Sequence, residues 1–100
     1  MKPYSLEKVK ELLKADYYKI NNNAELTAYD DFNWGPTEIV KCLLILKESH
    51  YYKTEQHNRF PNTIMDYYKA EEIMEGFSIY THFYIRPSDR ILVISSFKEF

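Results

Sequence analysis

The 100-residue chain has one cysteine, two glycines and no apolar run long enough to span a bilayer. Cys42 alone makes neither a disulfide nor a cysteine metal cage. Gly35 and Gly76 are too few for a glycine loop that cradles phosphate. The best apolar run, Ile39 to Leu46, is interrupted by Lys41 and falls well short of the roughly 20 residues a membrane helix needs. Met1-Lys2-Pro3-Tyr4-Ser5 lacks the apolar stretch of a secretory signal. The charge is nearly balanced, with 13 Lys and Arg against 15 Asp and Glu, net −2. That excludes binding to nucleic acid by bulk charge and leaves room for a local basic site. His50, His57 and His82 sit at no helical ligand spacing, so neither a metal site nor a cofactor is expected. These absences lead to the expectation of a soluble, cytoplasmic protein of one domain, residues 1–100. Such a chain is long enough for one core and too short for two.

What is present is apolar side chain and tyrosine. Hydrophobic residues make up 45 % of the chain, which fits a folded core and argues against disorder. There are ten tyrosines, with doublets at Tyr17-Tyr18, Tyr51-Tyr52 and Tyr67-Tyr68. A doublet commonly places one ring in a core and one outside it. The count alone does not separate packing from a stacking surface.

Leu6, Val9, Leu12 and Leu13 recur at helical spacing, with charged residues on the other face and Ser5 as N-cap. The pattern predicts a helix from about residue 5 to about residue 15. Asp16 to Ile20 reads as an edge strand stopped by Asn21-Asn22-Asn23. Asn23 is placed to cap a brief helix carrying Ala24, Leu26 and Ala28. Pro36 suits the first turn of a further helix, whose Ile39, Val40, Leu43, Leu44 and Leu46 make it a mostly buried core element. Cys42 within it is expected to be an inert core thiol. From Glu48 to Ala70 the period is ambiguous, and Thr63 to Lys69 fits strand or helix. Gly76 ends that stretch.

Phe77 to Arg86 alternates strictly, with Phe77, Ile79, Thr81, Phe83 and Ile85 on one face. Pro87-Ser88-Asp89 marks a turn, and Arg90 to Lys98 reads as a second, central strand. A three-residue loop sets Arg86 opposite Arg90, so residues of like parity share a face. The odd face is apolar. The even face collects Tyr80, His82, Tyr84, Arg86, Arg90, Ser96 and Lys98, floored by Leu92 and Ile94.

That polar face suits RNA. Bases stack on tyrosine, histidine and arginine planes, and Arg and Lys hold phosphate. If the neighbouring 2′-OH is the nucleophile, cleavage needs no metal, only a base, an acid and cations for the phosphorane. Tyr80, His82 and Lys98 carry suitable groups, with His82 titrating near neutral pH if unperturbed. Tyrosine and lysine ordinarily titrate near ~10, so a base of either type needs cations around it. The plain alternative is a solvated polar strand face.

The closing Val93-Ile94-Ser95-Ser96-Phe97-Lys98-Glu99-Phe100 resembles the C-terminus of the MqsR toxin family. Other segments agree in order and spacing: Val9-Lys10-Glu11-Leu12-Leu13, Ile45-Leu46, Ser49-His50-Tyr51-Tyr52-Lys53, Thr63-Ile64 with Asp66, and Gly76 with Ile79-Tyr80. The resemblance covers nearly the whole chain. It implies a RelE-like α+β fold, with N-terminal helices packed on a small antiparallel sheet that ends in a C-terminal hairpin. It implies an mRNA interferase that cuts free RNA without ribosome or metal. It also implies an MqsA-like antitoxin partner, with a zinc-binding N-terminal domain and a helix-turn-helix C-terminal domain. The family's lysine after its Phe-Tyr pair falls on Lys53, its strand tyrosine on Tyr80 and its C-terminal lysine on Lys98. Tyr84, Arg86 and Arg90, with His82, are then expected to position RNA.

The chain departs from the family at three points. A family glutamine has no match, and an ungapped alignment puts Asp66 there. Met65 replaces the family tryptophan. The slight acidity contrasts with a basic relative and implies weaker RNA affinity. Two rival readings remain: a RelE-like scaffold that binds protein or RNA without cutting, and a ribosome-dependent nuclease.

Overall fold

The computed structural model describes residues 2–100. In chain order the elements are α1 (Leu6–Lys14), β1 (Tyr18–Ile20), α2 (Asn22–Phe32), α3 (Pro36–Leu44), a single 3₁₀ turn at Glu48–His50, β2 (Tyr51–Gln56), β3 (Ile64–Met74), β4 (Phe77–Ile85) and β5 (Leu92–Glu99). The strands form one sheet in the order β1-β5-β4-β3-β2. Only the β1–β5 pair is parallel. The helices cover one face of the sheet.

Helix α1 follows its sequence signals closely. Ser5 Oγ accepts the Lys8 N–H at 3.3 Å, and Leu6, Val9, Leu12 and Leu13 are buried. Helix α2 is longer than its apolar residues suggest. Ala24, Ala28 and Phe32 line its buried stripe, and Leu26, another apolar residue of the same helix, is 63 % exposed. Leu26 lies two residues from that stripe, about 200° around the helix. A second stripe explains the length. β1 covers only Leu92 to Ile94 of β5, and beyond it α2 takes over the open strand edge. Asn23 Nδ2 donates to the Ser95 carbonyl at 3.1 Å and Thr27 Oγ1 to the Phe97 carbonyl at 2.6 Å. Asp31 Oδ2 accepts the Glu99 N–H at 2.9 Å. Polar residues at i, i+4 and i+8 thus satisfy an edge that would otherwise be open to pairing.

Helix α3 buries Ile39, Cys42 and Leu43, and leaves Val40 and Leu44 half-buried. It is therefore one-sided, and Leu46 enters the core only after the helix has ended. Burial pushes the Cys42 thiol up to about 12, which makes it inert. Phe32, Trp34, Phe77 and Phe97 form an aromatic cluster, with Phe32–Trp34 centroids 4.7 Å apart and Phe32–Phe77 at 5.1 Å.

The ambiguous middle resolves into β2 and the eleven-residue β3. Asp66 is fully buried on the helix side of the sheet. Its Oδ2 accepts the Tyr4 N–H at 2.8 Å and its Oδ1 the Thr54 hydroxyl at 2.7 Å. The carboxylate therefore straps the N-terminal segment across β3 and β2. Gly76, at φ 77°, makes the tight β3–β4 turn.

The register of the C-terminal hairpin corrects the sequence reading. Tyr80 pairs with Lys98, Thr81 with Phe97 and His82 with Ser96. Ser95 is then unpaired, and beyond it Phe83 faces Ile94, Tyr84 faces Val93 and Ile85 faces Leu92. The loop is longer than three residues. The Arg86 N–H donates to the Ile91 carbonyl at 2.8 Å, and Arg90 is a left-handed loop residue at φ 64°. Leu92 and Ile94 face the core, so they do not floor the polar face, and Val93 takes that place. The cause is hydrophobic. Leu92, Ile94 and Phe97 all have zero exposure, and only an extra residue between Ile94 and Phe97 lets all three point one way.

Ser95 is the residue the bulge sets aside, and Phe97 is the side chain whose burial the bulge allows. Phe97→Ala should therefore cost at least about 3 kcal/mol in urea unfolding, against less than about 1 kcal/mol for Ser95→Ala. Equal effects from the two variants would contradict this account of the bulge.

Candidate active site

The sheet face away from the helices carries two rows of side chains that run across the strands. In the first row Lys69 of β3 pairs with Tyr80 of β4, which pairs with Lys98 of β5. In the second, Lys53 of β2 pairs with Tyr67 of β3, then His82 of β4, then Ser96 of β5. The rows are about 7 Å apart, two residues along a strand. Two irregularities aim the lysines. The Ser95 bulge places Lys98 on this face, and a bulge at Tyr52 turns Lys53 onto it while Tyr51 pairs with Tyr68 of the core.

Three ammonium groups and a set of rings meet here. Lys69 Nζ lies 5.4 Å from the Tyr80 ring centroid and Lys98 Nζ lies 5.7 Å from it on the other side. Lys69 Nζ is also 3.9 Å from the Tyr52 ring, and Lys53 Nζ is 4.8 Å from the Tyr67 ring. Each is within cation–π range. Lys53 Nζ meets Glu55 Oε1 at 2.6 Å, which raises the lysine above its usual value and keeps it protonated. Tyr67 is raised, chiefly by burial and then by Glu55, and remains a neutral phenol. Lys53 and Tyr67 are thus suited to binding charge and donating hydrogen bonds.

The structure brings Lys53, Tyr80, His82 and Lys98 onto one face, and it changes the role of His82. Burial, then the Lys98 charge, pushes the imidazole down to about 4. His82 is neutral at neutral pH and is not the near-neutral acid its residue type suggests. Its Nδ1 lies 3.2 Å from Met65 Sδ. A thioether only accepts, so Nδ1 carries the proton and Nε2 is the free lone pair.

The other expected RNA contacts are placed differently. Tyr84 is 8 % exposed, with His57 at 4.4 Å and Phe60 at 6.0 Å over it. The β2–β3 connection covers it, so it is packing and not an open stacking platform. Arg86 and Arg90 lie about 20 Å along the sheet from Tyr80, at the hairpin end. Arg86 is held by Asp89, Nη2 to Oδ2 at 2.6 Å and Nε to Oδ1 at 3.0 Å. Asp66 turns away from this face, which removes the repulsion that an ungapped alignment implied.

Sequence reasoning missed Lys69, Tyr67 and Tyr52. The signal was the repeated Tyr-Tyr-Lys triplet at 51–53 and 67–69. In β3 the alternation buries Tyr68 and leaves Tyr67 and Lys69 on the open side. Among the described residues, no three His, Cys, Asp or Glu side chains gather to hold a metal ion. Among them, too, no helix is long and apolar enough to cross a membrane.

Three helices packed on one side of a five-stranded, mostly antiparallel sheet, with a lysine–tyrosine surface on the other, define a RelE-like α+β toxin fold. The chain belongs to the family described as motility quorum-sensing regulator, toxin of MqsA, whose model matches residues 2–99. It is thereby a toxin of a toxin–antitoxin pair, and the family's antitoxin is MqsA by name. A search of the curated proteins finds no match.

The depressed His82 makes stability pH-dependent. Its folded value of about 4 lies below the ordinary 6.5, so the unfolded chain takes up the proton first. Stability therefore falls as pH drops from about 6.5 to about 4. His50 and His57 are also lowered by burial and add to this fall, whereas buried Asp66 is raised and opposes it. Urea unfolding at pH 7 and pH 5 should show a smaller loss for His82→Gln than for the parent. An equal loss would contradict a buried, neutral imidazole.

Proposed function

We propose that the open sheet face is the active site of an endoribonuclease that cuts mRNA without a metal or a ribosome. The observation that carries this reading is the Lys69–Tyr80–Lys98 row, with Lys53 in the adjoining row. A phenol flanked by two ammonium groups suits a reaction that moves protons at a phosphate while negative charge builds on it.

In this reading the RNA 2′-OH attacks the adjacent phosphorus. The new bond is O2′–P and the broken bond is P–O5′. The 2′ proton leaves to a base, and the departing 5′ oxygen receives a proton from an acid. Tyr80 takes part in proton transfer, and Lys53 and Lys98 stabilise the phosphorane charge. His82 lies in the second row with its Nε2 lone pair available, and serves as an acceptor toward the sugar or base. Arg86 and Arg90 touch RNA only if the strand extends to the hairpin end. The natural substrate is mRNA, and the antitoxin is MqsA-like, with a zinc-binding domain and a helix-turn-helix domain. The site of action is the cytoplasm, and residues 1–100 act as one domain.

One observation favours a second reading, binding without cutting. Met65, an apolar side chain, neighbours His82, and no residue here matches the family glutamine. A third, ribosome-dependent cutting, is separated by the same assay.

Purified protein is incubated with mixed RNA in EDTA, without ribosomes. Cleavage leaving 5′-hydroxyl ends is expected. Lys98→Ala and Tyr80→Phe should each lower the rate at least ~100-fold with unchanged melting. No cleavage, or cleavage lost with chelator, would contradict the proposal, and cutting seen only in translating extract would support ribosome dependence. Three phosphate-binding lysines predict a shallow salt dependence of binding, a log–log slope near about −2. A slope of about −6 would show that contacts beyond this face dominate.

A further inference from the structure

A pocket of about 410 Å³ adjoins the first row, walled by Tyr52, Lys69, Glu71, His50, Ser49 and Phe100. Lys69 joins it to the candidate active site, because the same side chain pairs across from Tyr80. Resting on the nuclease reading above, we propose that this pocket is the subsite for the nucleotide next to the scissile phosphate, binding its base unstacked from the RNA strand and favouring bases with an exocyclic amino group.

The rings come first. Tyr52 is 49 % exposed and Phe100 is 52 % exposed, so both rings have surface open to a ligand, and both line the same pocket. Lys69 Nζ lies between them, 3.9 Å from the Tyr52 centroid and 5.1 Å from the Phe100 centroid. A cation–π contact at an exposed site is weak. The four-carbon lysine stem can exchange it for a charge-assisted bond to a phosphate oxygen. That movement frees the ring faces for a base, which stacks without sequence preference.

The polar lining then supplies choice. His50 Nδ1 accepts the Lys47 N–H at 3.0 Å, so in the neutral ring the proton is on Nε2 and donates. Burial, then Lys47, holds this imidazole below its ordinary value and hence neutral. Glu71 offers a carboxylate, an acceptor only. Amino groups on guanine, adenine and cytosine satisfy a carboxylate, whereas the carbonyl that uracil presents in their place repels it. The same negative charge disfavours a phosphate in the depth of the pocket, which leaves the phosphate to Lys69 at its mouth.

The test uses fluorescently labelled 2′-O-methyl oligonucleotides, which lack the attacking hydroxyl and so are bound but not cut. Anisotropy gives Kd for the parent, Phe100→Ala, Phe100→Tyr and Glu71→Ala, with melting measured on each. Phe100→Ala should bind about tenfold more weakly, the loss of one stacked base, and Phe100→Tyr should restore binding. Oligo-C should bind more tightly than oligo-U, and Glu71→Ala should remove that difference. Lys69→Gln should make the salt slope shallower by about one unit. If Phe100→Ala binds like the parent, or the parent binds no oligonucleotide, the subsite proposal is overturned. The readout is independent of cleavage. A chain that cuts no RNA yet shows the Phe100 and Glu71 effects would retain the subsite and lose the nuclease reading.

Discussion

The structure depends on one extra residue in β5. Leu92, Ile94 and Phe97 all belong to the helix-covered core, and strict alternation would put Phe97 on the opposite face. Fully burying a phenylalanine stabilises a fold by roughly 1.5–3 kcal/mol, more than the lost ladder contact at Ser95 costs, so the strand bulges. Phe97 then meets Phe32 and Trp34. The next residue, Lys98, swings to the open face directly across from Tyr80. Packing on one side of the sheet thereby sets the chemistry on the other. The Tyr52 bulge does the same for Lys53 on the far side of the sheet.

Each side of the sheet carries its own kind of polar group. On the helix side, the polar groups of Asp66 and Thr81 drawn into the core have structural partners, whereas the buried Trp34 indole N–H has none among the described residues. Asp66 is taken up by Tyr4 and Thr54, and Thr81 donates to the Ser96 carbonyl at 2.6 Å. The exposed edge of β5 is closed by Asn23, Thr27 and Asp31. On the open side the lysines contact rings, and Lys53 alone of the three is paired to a carboxylate. A net acidic toxin can therefore present a locally cationic row, with Glu55 beside Lys53 and Glu71 in the adjoining pocket as its neighbouring carboxylates.

Much of this was legible in the residues. The amphipathic period of Leu6 to Leu13 gave α1, and the alternation from Phe77 to Ile85 gave β4. Tyr80 and Lys98 were placed on one face correctly, even though the register was wrong. The true pairing in that half differs by two positions, which preserves parity. Beyond Ser95 it differs by one, which moved Leu92 and Ile94 to the core and Val93 under Tyr84. A bulge is invisible to a period-two pattern, because it is decided by what Phe97 packs against in another part of the chain. Lys69 was missed for a related reason. β3 runs through Glu71 and Glu72 with a left-handed residue, so its polar end does not look like a strand. The burial of Tyr84, and the value of His82, depend on a loop and on neighbours that no local pattern encodes.

The central claim is that RNA lies on the open face, across the Lys69–Tyr80–Lys98 row. Mapping amide shifts by NMR on titration with an uncuttable 2′-O-methyl oligonucleotide tests it most directly. The account predicts shifts concentrated at Lys53, Tyr67, Lys69, Tyr80, His82 and Lys98, with α1 and α3 unmoved. Shifts centred on the helices or on the Arg86–Arg90 loop, with this row unchanged, would contradict it.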